Sequence, residues 1–155
     1  MSASLRFERA EPGEPPASEL LAAMRVELNE LYETFDRLDN PPVDPAQLRP
    51  PGGAYVVGFD GEQAVAGGGV RRLAEGVGEI KRMYVCPPAR SRGVAGALLG
   101  QLEATALALG YDVVRLDTGP KQLHALDLYR RAGYVEVPRY NENPFACFWG
   151  EKRLR

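Results

Sequence analysis

The chain of 155 residues is poor in the residue types that build metal sites and covalent crosslinks. It has two cysteines, Cys86 and Cys147, and a single histidine, His124. Two cysteines far apart in the sequence do not make a disulfide framework or a zinc cluster, so no structural metal is expected. We expect each thiol to fill a small apolar space in or beside a strand. His124 is expected at the protein surface and not as a catalytic base.

The sequence also lacks long apolar runs and a strong charge of either sign. No run reaches the length of a membrane span, and the first residues, MSASLR, contain no hydrophobic signal core. The net charge is −2, with 19 Lys and Arg against 21 Asp and Glu. This balance argues against nucleic acid or an anionic membrane as a partner. We therefore expect a cytoplasmic protein that acts on small molecules or peptides, with a homodimer as an open option.

What the sequence has is the composition of one globular domain. It is 45% hydrophobic and 26% charged, and its length suffices for one core, so a single domain over residues 1–155 is expected. Apolar periodicity and turn residues predict helices at about 18–39, 94–108 and 121–132, and strands at 5–8, 54–59, 63–73, 79–85, 113–117, 134–137 and 145–152. This order predicts an α/β (α+β) domain with a mixed sheet, an antiparallel meander followed by one β-α-β crossover. The glycines at 67–69 suggest a bulge or a close backbone approach.

The most informative segment is residues 79–96, EIKRMYVCPPARSRGVAG. A strand ends at Val85, and a short loop leads into an amphipathic helix. A glycine loop before a helix presents free backbone N–H groups at the positive end of the helix dipole, which suits a pyrophosphate. Arg90 and Arg92 add positive charge there, and Gly93 keeps a Cβ atom out of the way. The alternative is an ordinary β-to-α turn with solvated arginines.

Two motifs resemble those of the GNAT family of N-acetyltransferases, whose ligand is acyl-coenzyme A. The spacing Arg90-x-x-Gly93-x-Ala95 is similar to the family's phosphate-loop signature. Residues 122–134, QLHALDLYRRAGY, resemble its Asn-x-x-Ala-x-x-Leu-Tyr-x-x-x-Gly-Phe/Tyr run, with Gln122 in place of the usual asparagine. The resemblance implies the acyl-CoA N-acyltransferase fold, with a mostly antiparallel sheet of about seven strands and flanking helices. It also implies transfer of acetyl from acetyl-CoA to a primary amine, by direct attack in a ternary complex and without a metal.

The resemblance further implies which residues form the site. The strand before the phosphate loop would hold the pantetheine arm through its exposed backbone, and the loop would hold the phosphates. Tyr129 matches the tyrosine that protonates the departing thiolate, and its alternative role is packing at a helix–strand seam with a solvated hydroxyl. The expected cofactor-binding residues are Met83, Tyr84, Val85, Arg90, Ser91, Arg92, Gly93, Val94, Ala95, Gly96, Gln122 and Tyr129.

Glu79 is the second candidate catalytic residue. It lies six residues before Val85 and matches in spacing the general base of the histone-acetyltransferase branch of the family. A carboxylate that faces the acceptor cleft on a central strand can accept an amine proton through water. The alternative is an ion pair at the end of the strand with Arg71, Arg72 or Lys81.

Two other classes of function are alternatives to an acetyltransferase. A non-catalytic domain that binds or senses acyl-CoA would not need both Tyr129 and Glu79. A dinucleotide-binding oxidoreductase would use Gly93 and Asp117, with Asp117 on a ribose. Its signature is Gly-x-Gly-x-x-Gly, which the sequence Gly-Val-Ala-Gly at 93–96 does not match.

The acceptor itself is not named by the sequence. The expected acceptor walls mix aromatic, acidic and basic groups and suit an amino acid, a small amine or a peptide N-terminus equally. These walls are Tyr32, Phe35 and Asp36 of the first helix and Arg139, Tyr140 and Asn141 of the last loop.

Overall fold

The computed structural model describes residues 5–32 and 44–155. Phe35, Asp36 and the predicted end of the first helix near residue 39 lie outside the described residues. The strands are β1 (Leu5–Ala10), β2 (Ala54–Asp60), β3 (Gln63–Ala74), β4 (Val77–Val85), β5 (Val113–Thr118), β6 (Val135–Glu136) and β7 (Phe148–Arg153). The helices are α1 (Ala17–Tyr32), α2 (Val94–Ala108) and α3 (Leu123–Arg131), with 3-10 turns at Pro45–Leu48 and Pro87–Ala89.

The strands form one seven-stranded sheet in the order β1-β2-β3-β4-β5-β7-β6. Only β4 and β5 pair in parallel, and they are joined by the crossover helix α2. All other neighbours are antiparallel. The predicted mixed, mostly antiparallel sheet with flanking helices is therefore confirmed.

The sheet is covered by a helix on each face. On one face, α2 buries a nearly continuous set of apolar side chains, among them Leu98, Leu102 and Ala106, each 0% exposed. On the other face, Leu20 of α1 packs in a cluster with Tyr55. Each such leucine contributes about 1.5–3 kcal/mol by leaving water. Among the residues that the structure describes, no helix is long and apolar enough to cross a membrane.

A bulge distorts β4 opposite the three glycines of β3. Gly67 pairs with Tyr84 and Gly69 with Lys81, so two residues of β4, at positions 82 and 83, lie opposite Gly68 alone. Arg82 has a φ of 58°, in the left-handed region. A Cβ atom at Gly68 would lie 2.8 Å from Leu102 Cδ1. Both features expected from the glycines, a bulge and a close approach, are present.

The bulge precedes the point where the sheet opens. β4 pairs with β5 only from Val77–Val113 to Glu79–Arg115, whereas β5 pairs with β7 over its whole length. Beyond Glu79 the two parallel strands separate. The backbone of the last six residues of β4 therefore faces a gap instead of a neighbouring strand on the β5 side.

The C-terminal boundaries differ from the prediction. The last two strands were expected at 134–137 and 145–152, but β6 is only two residues long and β7 begins at Phe148. The reason is local: Asn141 Oδ1 accepts the N–H of Asn143, and Asn143 Oδ1 accepts the N–H of Phe145. Such side-chain bonds compete with strand pairing. They also leave Cys147 exposed, so the expectation of a packed thiol there is wrong.

Candidate active site

A cleft of about 620 Å³ lies where β4 and β5 separate. Its walls come from α1, β3, β4, β5, the start of α3 and the loop before β7. Because a strand pair is missing there, the cleft is bordered by backbone groups as well as by side chains.

The start of α2 has the geometry expected of a phosphate loop. Gly93 precedes the helix with a φ of 80°, and a Cβ atom there would meet nothing within 4 Å. The first bond of the helix runs from the N–H of Ala97 to the carbonyl of Gly93, at 3.2 Å. The N–H groups at positions 94–96 therefore precede the helix ladder and face outward at the positive end of the dipole. The residues present fit a bound pyrophosphate.

The two arginines of this loop are placed differently. Arg92 is exposed. Arg90 folds back instead: its Nε donates to the carbonyl of Val85 at 2.8 Å, and its Nη2 donates to Glu27 of α1 at 2.8 Å. Its guanidinium also lies 5.6 Å from the ring centre of Tyr84. A phosphate contact from Arg90 stays a prediction, and it requires exchange of these bonds.

The predicted strand and helix residues meet in the middle of the cleft. The Tyr129 hydroxyl donates to Met83 Sδ at 3.6 Å, and both residues line the cleft. Tyr129 is 7% exposed, so its hydroxyl is not the solvated group of the packing alternative. Burial raises the pKa of Tyr129, and the charge of Asp117 raises it further. The side chains of Tyr84 and Val85 pack into the two cores, so only their backbones are available to a ligand.

Gln122 connects the start of α3 to the end of α1. Its Oε1 accepts the N–H of Gly119 at 3.2 Å and the hydroxyl of Tyr32 at 3.1 Å. The Tyr32 ring lies 5.2 Å from that of Phe145, and Lys121 Nζ donates to the carbonyl of Leu31 at 3.0 Å. These contacts place Tyr32 in the cleft wall as expected. They also commit the Gln122 carbonyl within the protein, so its contact with a pantetheine arm stays a prediction.

Glu79 lies beneath the cleft and is 0% exposed. Arg71 Nε donates to its Oε1 at 2.8 Å, and its Oε2 accepts the Tyr140 hydroxyl at 2.9 Å and Asn141 Nδ2 at 3.2 Å. Lys81 Nζ lies 3.7 Å from the same oxygen. The ion-pair alternative is thus observed for two of its three named partners. The role of Glu79 as general base stays a prediction.

Three carboxylates line the cleft, and Asp117 is the least exposed of them, since Asp44 and Glu142 are both exposed. Asp117 lies on β5 just beyond the last pair with β4, and its side chain is 7% exposed. Its oxygens accept the amide N–H groups of Asn141 and Asn143, and Lys81 Nζ lies 3.6 Å away. Both strands place their carboxylates on one face by the period of two. That period is visible in the sequence as Glu79-x-Lys81 and Arg115-x-Asp117, and it shows which residues of each strand share a face.

Asn141 is the centre of the network. Besides its bonds to Glu79 and Asp117, its Oδ1 accepts the indole N–H of Trp149 at 2.9 Å. Asn141 thus lines the cleft at the place where an acceptor wall was expected, and contact with an acceptor stays a prediction. Two predicted wall residues of the last loop, Arg139 and Tyr140, do not line the cleft. Burial raises the pKa of Tyr140, and the neighbouring carboxylate of Glu79 raises it further. Arg139 lies over the Trp149 ring at 5.4 Å and is not in the wall.

Sequence reasoning missed three cations of the cleft wall as site residues. Arg71, Lys81 and Arg82 all line the cleft. The sequence named Arg71 and Lys81 only as possible ion-pair partners of Glu79, and it did not single out Arg82. Within residues 5–32 and 44–155, no cluster of three or more His, Cys, Asp and Glu side chains has the arrangement of a metal site.

Comparison with known proteins connects this geometry to a family. The sequence profile of the Acetyltransferase (GNAT) family matches residues 20–134. A Klebsiella pneumoniae protein assigned as an acyl-CoA N-acyltransferase has the same fold, with a TM-score of 0.78, 30% identity and coverage of 99% of this chain and 100% of that one. A GNAT family acetyltransferase from Elizabethkingia anophelis with acetyl-CoA bound gives a TM-score of 0.69 at 18% identity, over 99% and 100% of the two chains.

Among curated sequences, an IAA acetyltransferase from Azospirillum brasilense is 36% identical over 76 residues. That match covers 47% of this chain and 50% of the relative. The matched region thus spans about half the length of this relative.

Proposed function

Because this chain belongs to the GNAT family of acetyltransferases, we propose that it transfers acetyl from acetyl-CoA to a primary amine by direct attack. The observation that carries the proposal is the opening of the sheet between β4 and β5. The opening exposes a buried tyrosine and a charged floor in one cleft, and the glycine-led start of α2 follows the open end of β4 along the chain. The Elizabethkingia protein of the same fold has acetyl-CoA bound, which supports this ligand class.

Acetyl-CoA would supply an activated acetyl thioester. The N–H groups at positions 94–96 are oriented to hold its pyrophosphate, and Gly93 leaves room for a close approach. Arg92 adds charge at the surface. The backbone at positions 83–85 borders the gap and is available to pair with an extended arm, as an added strand would.

Tyr129 is suited to give a proton to a departing thiolate. Its raised pKa keeps the phenol protonated at neutral pH, and its hydroxyl lies in the cleft next to Met83. A thioether sulfur is a weak acceptor, so this bond is readily exchanged for one to a better acceptor.

The amine must lose its proton before it attacks. Asp117 lines the cleft, whereas Glu79 is fully buried beneath it. We therefore place Asp117 as the carboxylate that meets the acceptor ammonium. Glu79 then acts either as a base that works through its neighbours or as the residue that positions Arg71 and Lys81.

The second candidate function is an acyl-CoA-binding domain without turnover. Calorimetry with acetyl-CoA and an assay of CoA thiol release with a panel of amines distinguish the two. Binding with amine-dependent release is expected for the enzyme. Binding without release for any amine would favour the sensing domain, and absence of binding would overturn both. The cytoplasmic location and the absence of a nucleic acid partner stay predictions from composition.

A further inference from the structure

The cationic side of the cleft floor has unused hydrogen-bond donors. Arg71 donates through Nε to Glu79 and through Nη1 to Gln47, and within the described residues neither these bonds nor any other uses its Nη2. Its side chain is 23% exposed and lines the cleft. A guanidinium fixed through Nε and Nη1 still offers the N–H groups of Nη2 to an anion such as a carboxylate.

Lys81 lies next to Arg71 on the neighbouring strand. Arg71 pairs with Glu79, and Lys81 follows Glu79 by two residues, so all three share one face of the sheet. The ammonium lies 3.7 Å from Glu79 and 3.6 Å from Asp117, beyond hydrogen-bond distance from both. In the described part of the chain, it makes no hydrogen bond, although only 15% of its side chain is exposed. Three N–H donors are thus held at the cleft without an acceptor.

The charged groups of the cleft floor carry both signs, and their hydrogen-bond partners differ. Glu79 supplies one negative charge against the two positive charges of Arg71 and Lys81. Asp117 supplies a negative charge whose hydrogen-bond partners, Asn141 and Asn143, are uncharged. Among these four groups, one positive charge is therefore in excess beside the carboxylate of Asp117, and Arg82 adds a further positive charge to the cleft wall.

From this arrangement we infer that the acceptor is an amine that carries its own carboxylate next to the amino group, as an α-amino acid does. The carboxylate binds Arg71 and Lys81, and the ammonium binds Asp117. This inference rests on the proposed acetyl transfer and names the acceptor class. The 3.6 Å between Lys81 and Asp117 favours a carboxylate close to the amine over one at the end of a long chain.

Other acceptors fit the same floor less well. A simple amine supplies no acceptor for Arg71 Nη2 or for the ammonium of Lys81 once water is displaced, and unsatisfied donors of partly buried charged groups are costly. A dianionic group such as a phosphate monoester would face repulsion from Glu79 and Asp117. A peptide N-terminus places its carboxylate far from the amine, where this pair of cations does not reach it.

The test compares α-amino acids with their carboxamides as acceptors, with CoA thiol release as the readout. An amide has a less basic amine than its amino acid, so it arrives more often in the reactive neutral form. A lower rate with the amide is therefore not caused by protonation. We expect kcat/KM for the best amino acid to exceed that of its amide by about tenfold or more, the value of one charge-assisted contact.

Lys81→Gln should raise the KM for the amino acid by about tenfold, raise the KM for the amide by much less, and leave the KM for acetyl-CoA nearly unchanged. Lys152→Gln is the matched control, since Lys152 is a partly buried lysine paired with Glu103 away from the cleft. Arg71→Lys keeps a positive charge beside Glu79 but removes the donors of the guanidinium. It therefore provides a second test of carboxylate binding if Lys81→Gln folds poorly.

Equal rates with amino acids and amides would overturn the inference while leaving acetyl transfer intact. An equal loss with both acceptors in Lys81→Gln would also overturn it, because Lys81 would then be structural. If acetyl-CoA binds and no amine releases CoA, the proposed function itself fails, which is a different result from a lost preference.

Discussion

The start of α2 and the side-chain network of the cleft floor are the two ends of the proposed site, and they differ in the groups that they would offer a ligand. At the end formed by the start of α2, backbone N–H groups are presented and Gly93 faces open space. At the other end, side chains from β3, β4, β5 and the last loop are already bonded to one another around Glu79 and Asp117. The first end consists of backbone groups whose orientation follows from the start of the helix, and the second consists of side chains.

This difference indicates which end is generic. Backbone donors bind any pyrophosphate and need only a glycine and a helix start, so they are suited to a co-substrate that a whole family shares. A network of side chains from four separate elements can change residue by residue, and it is suited to an acceptor that differs between relatives. The substitutions below test this division in order of decreasing expected effect.

The largest effect is expected at the junction of the two ends, from Tyr129→Phe. Loss of the proton donor should lower turnover by roughly 10²–10⁴-fold with acetyl-CoA affinity unchanged. Because burial raises the pKa of Tyr129, the phenol stays protonated and the loss should not vary below about pH 10. Steady-state kinetics across pH and calorimetry measure the two quantities.

Tyr55→Phe is the control for that change. Its hydroxyl is buried without a hydrogen-bond partner among the described residues, in the core under α1. Its removal should leave turnover unchanged and raise stability by about 1 kcal/mol, the cost of an unsatisfied group. Equal turnover in wild type and Tyr129→Phe would return Tyr129 to a packing role.

The second test asks which carboxylate at the acceptor end meets the amine. Asp117→Asn should lower turnover by about 10²-fold near neutral pH. Higher pH should partly restore it, because the amine then loses its proton unaided. Glu79→Gln should show the same rescue only if Glu79 is the base.

If Glu79 instead positions its neighbours, its effect appears in stability and in the KM for the acceptor. Loss of a fully buried ion pair costs about 3–5 kcal/mol, and the cost here should be smaller because Arg71 is partly exposed. Thermal unfolding of Glu79→Gln and its pH–rate profile separate the two roles. A wild-type pH profile in both variants would contradict a base at either position.

The fold was predictable because its signals are local. Apolar periodicity fixed α2 at the bounds that the structure has, and the glycines of β3 indicated the bulge. The C-terminal strands were placed less well, because Asn141 and Asn143 bond to the backbone and replace strand pairing with turns. Nothing in the apolar pattern distinguishes such a loop from a strand.

The part of the site that depends on the backbone could be predicted from the sequence better than the part that depends on side chains from separate strands. The conformation around Gly93 was predictable from a short motif, because it follows from chain direction and the absence of a side chain, whereas its role in binding phosphate stays a prediction. Arg71 and Lys81 were not found as site residues, because their place in the cleft depends on strand pairing and on the separation beyond Glu79. A cluster from distant segments has no spacing that a single sequence shows.

The third test addresses the backbone end. Gly93→Val places a β-branched residue at a φ of 80° and a side chain where the phosphates approach. We expect acetyl-CoA affinity to fall by about 10–10²-fold, the value of one or two charge-assisted bonds. Gly100→Ala is the control, since it lies inside α2 with nothing within 4 Å and should be neutral or stabilising. Unchanged affinity in Gly93→Val would contradict the phosphate loop.

The smallest effect concerns Arg90, which is bonded to Glu27 and to the carbonyl of Val85. If acetyl-CoA draws Arg90 toward its phosphates, binding must first break the exposed pair with Glu27, which is worth at most about 1 kcal/mol. Glu27→Gln should then strengthen acetyl-CoA binding by about two- to fivefold. Arg90→Gln should weaken it, and the double variant should show no further gain from the Glu27 change. Titrations at two salt concentrations measure this, since the gain should shrink as salt screens the pair. If Glu27→Gln leaves the affinity unchanged while Arg90→Gln lowers stability alone, Arg90 is a structural clamp on β4, and the backbone holds the phosphates without it.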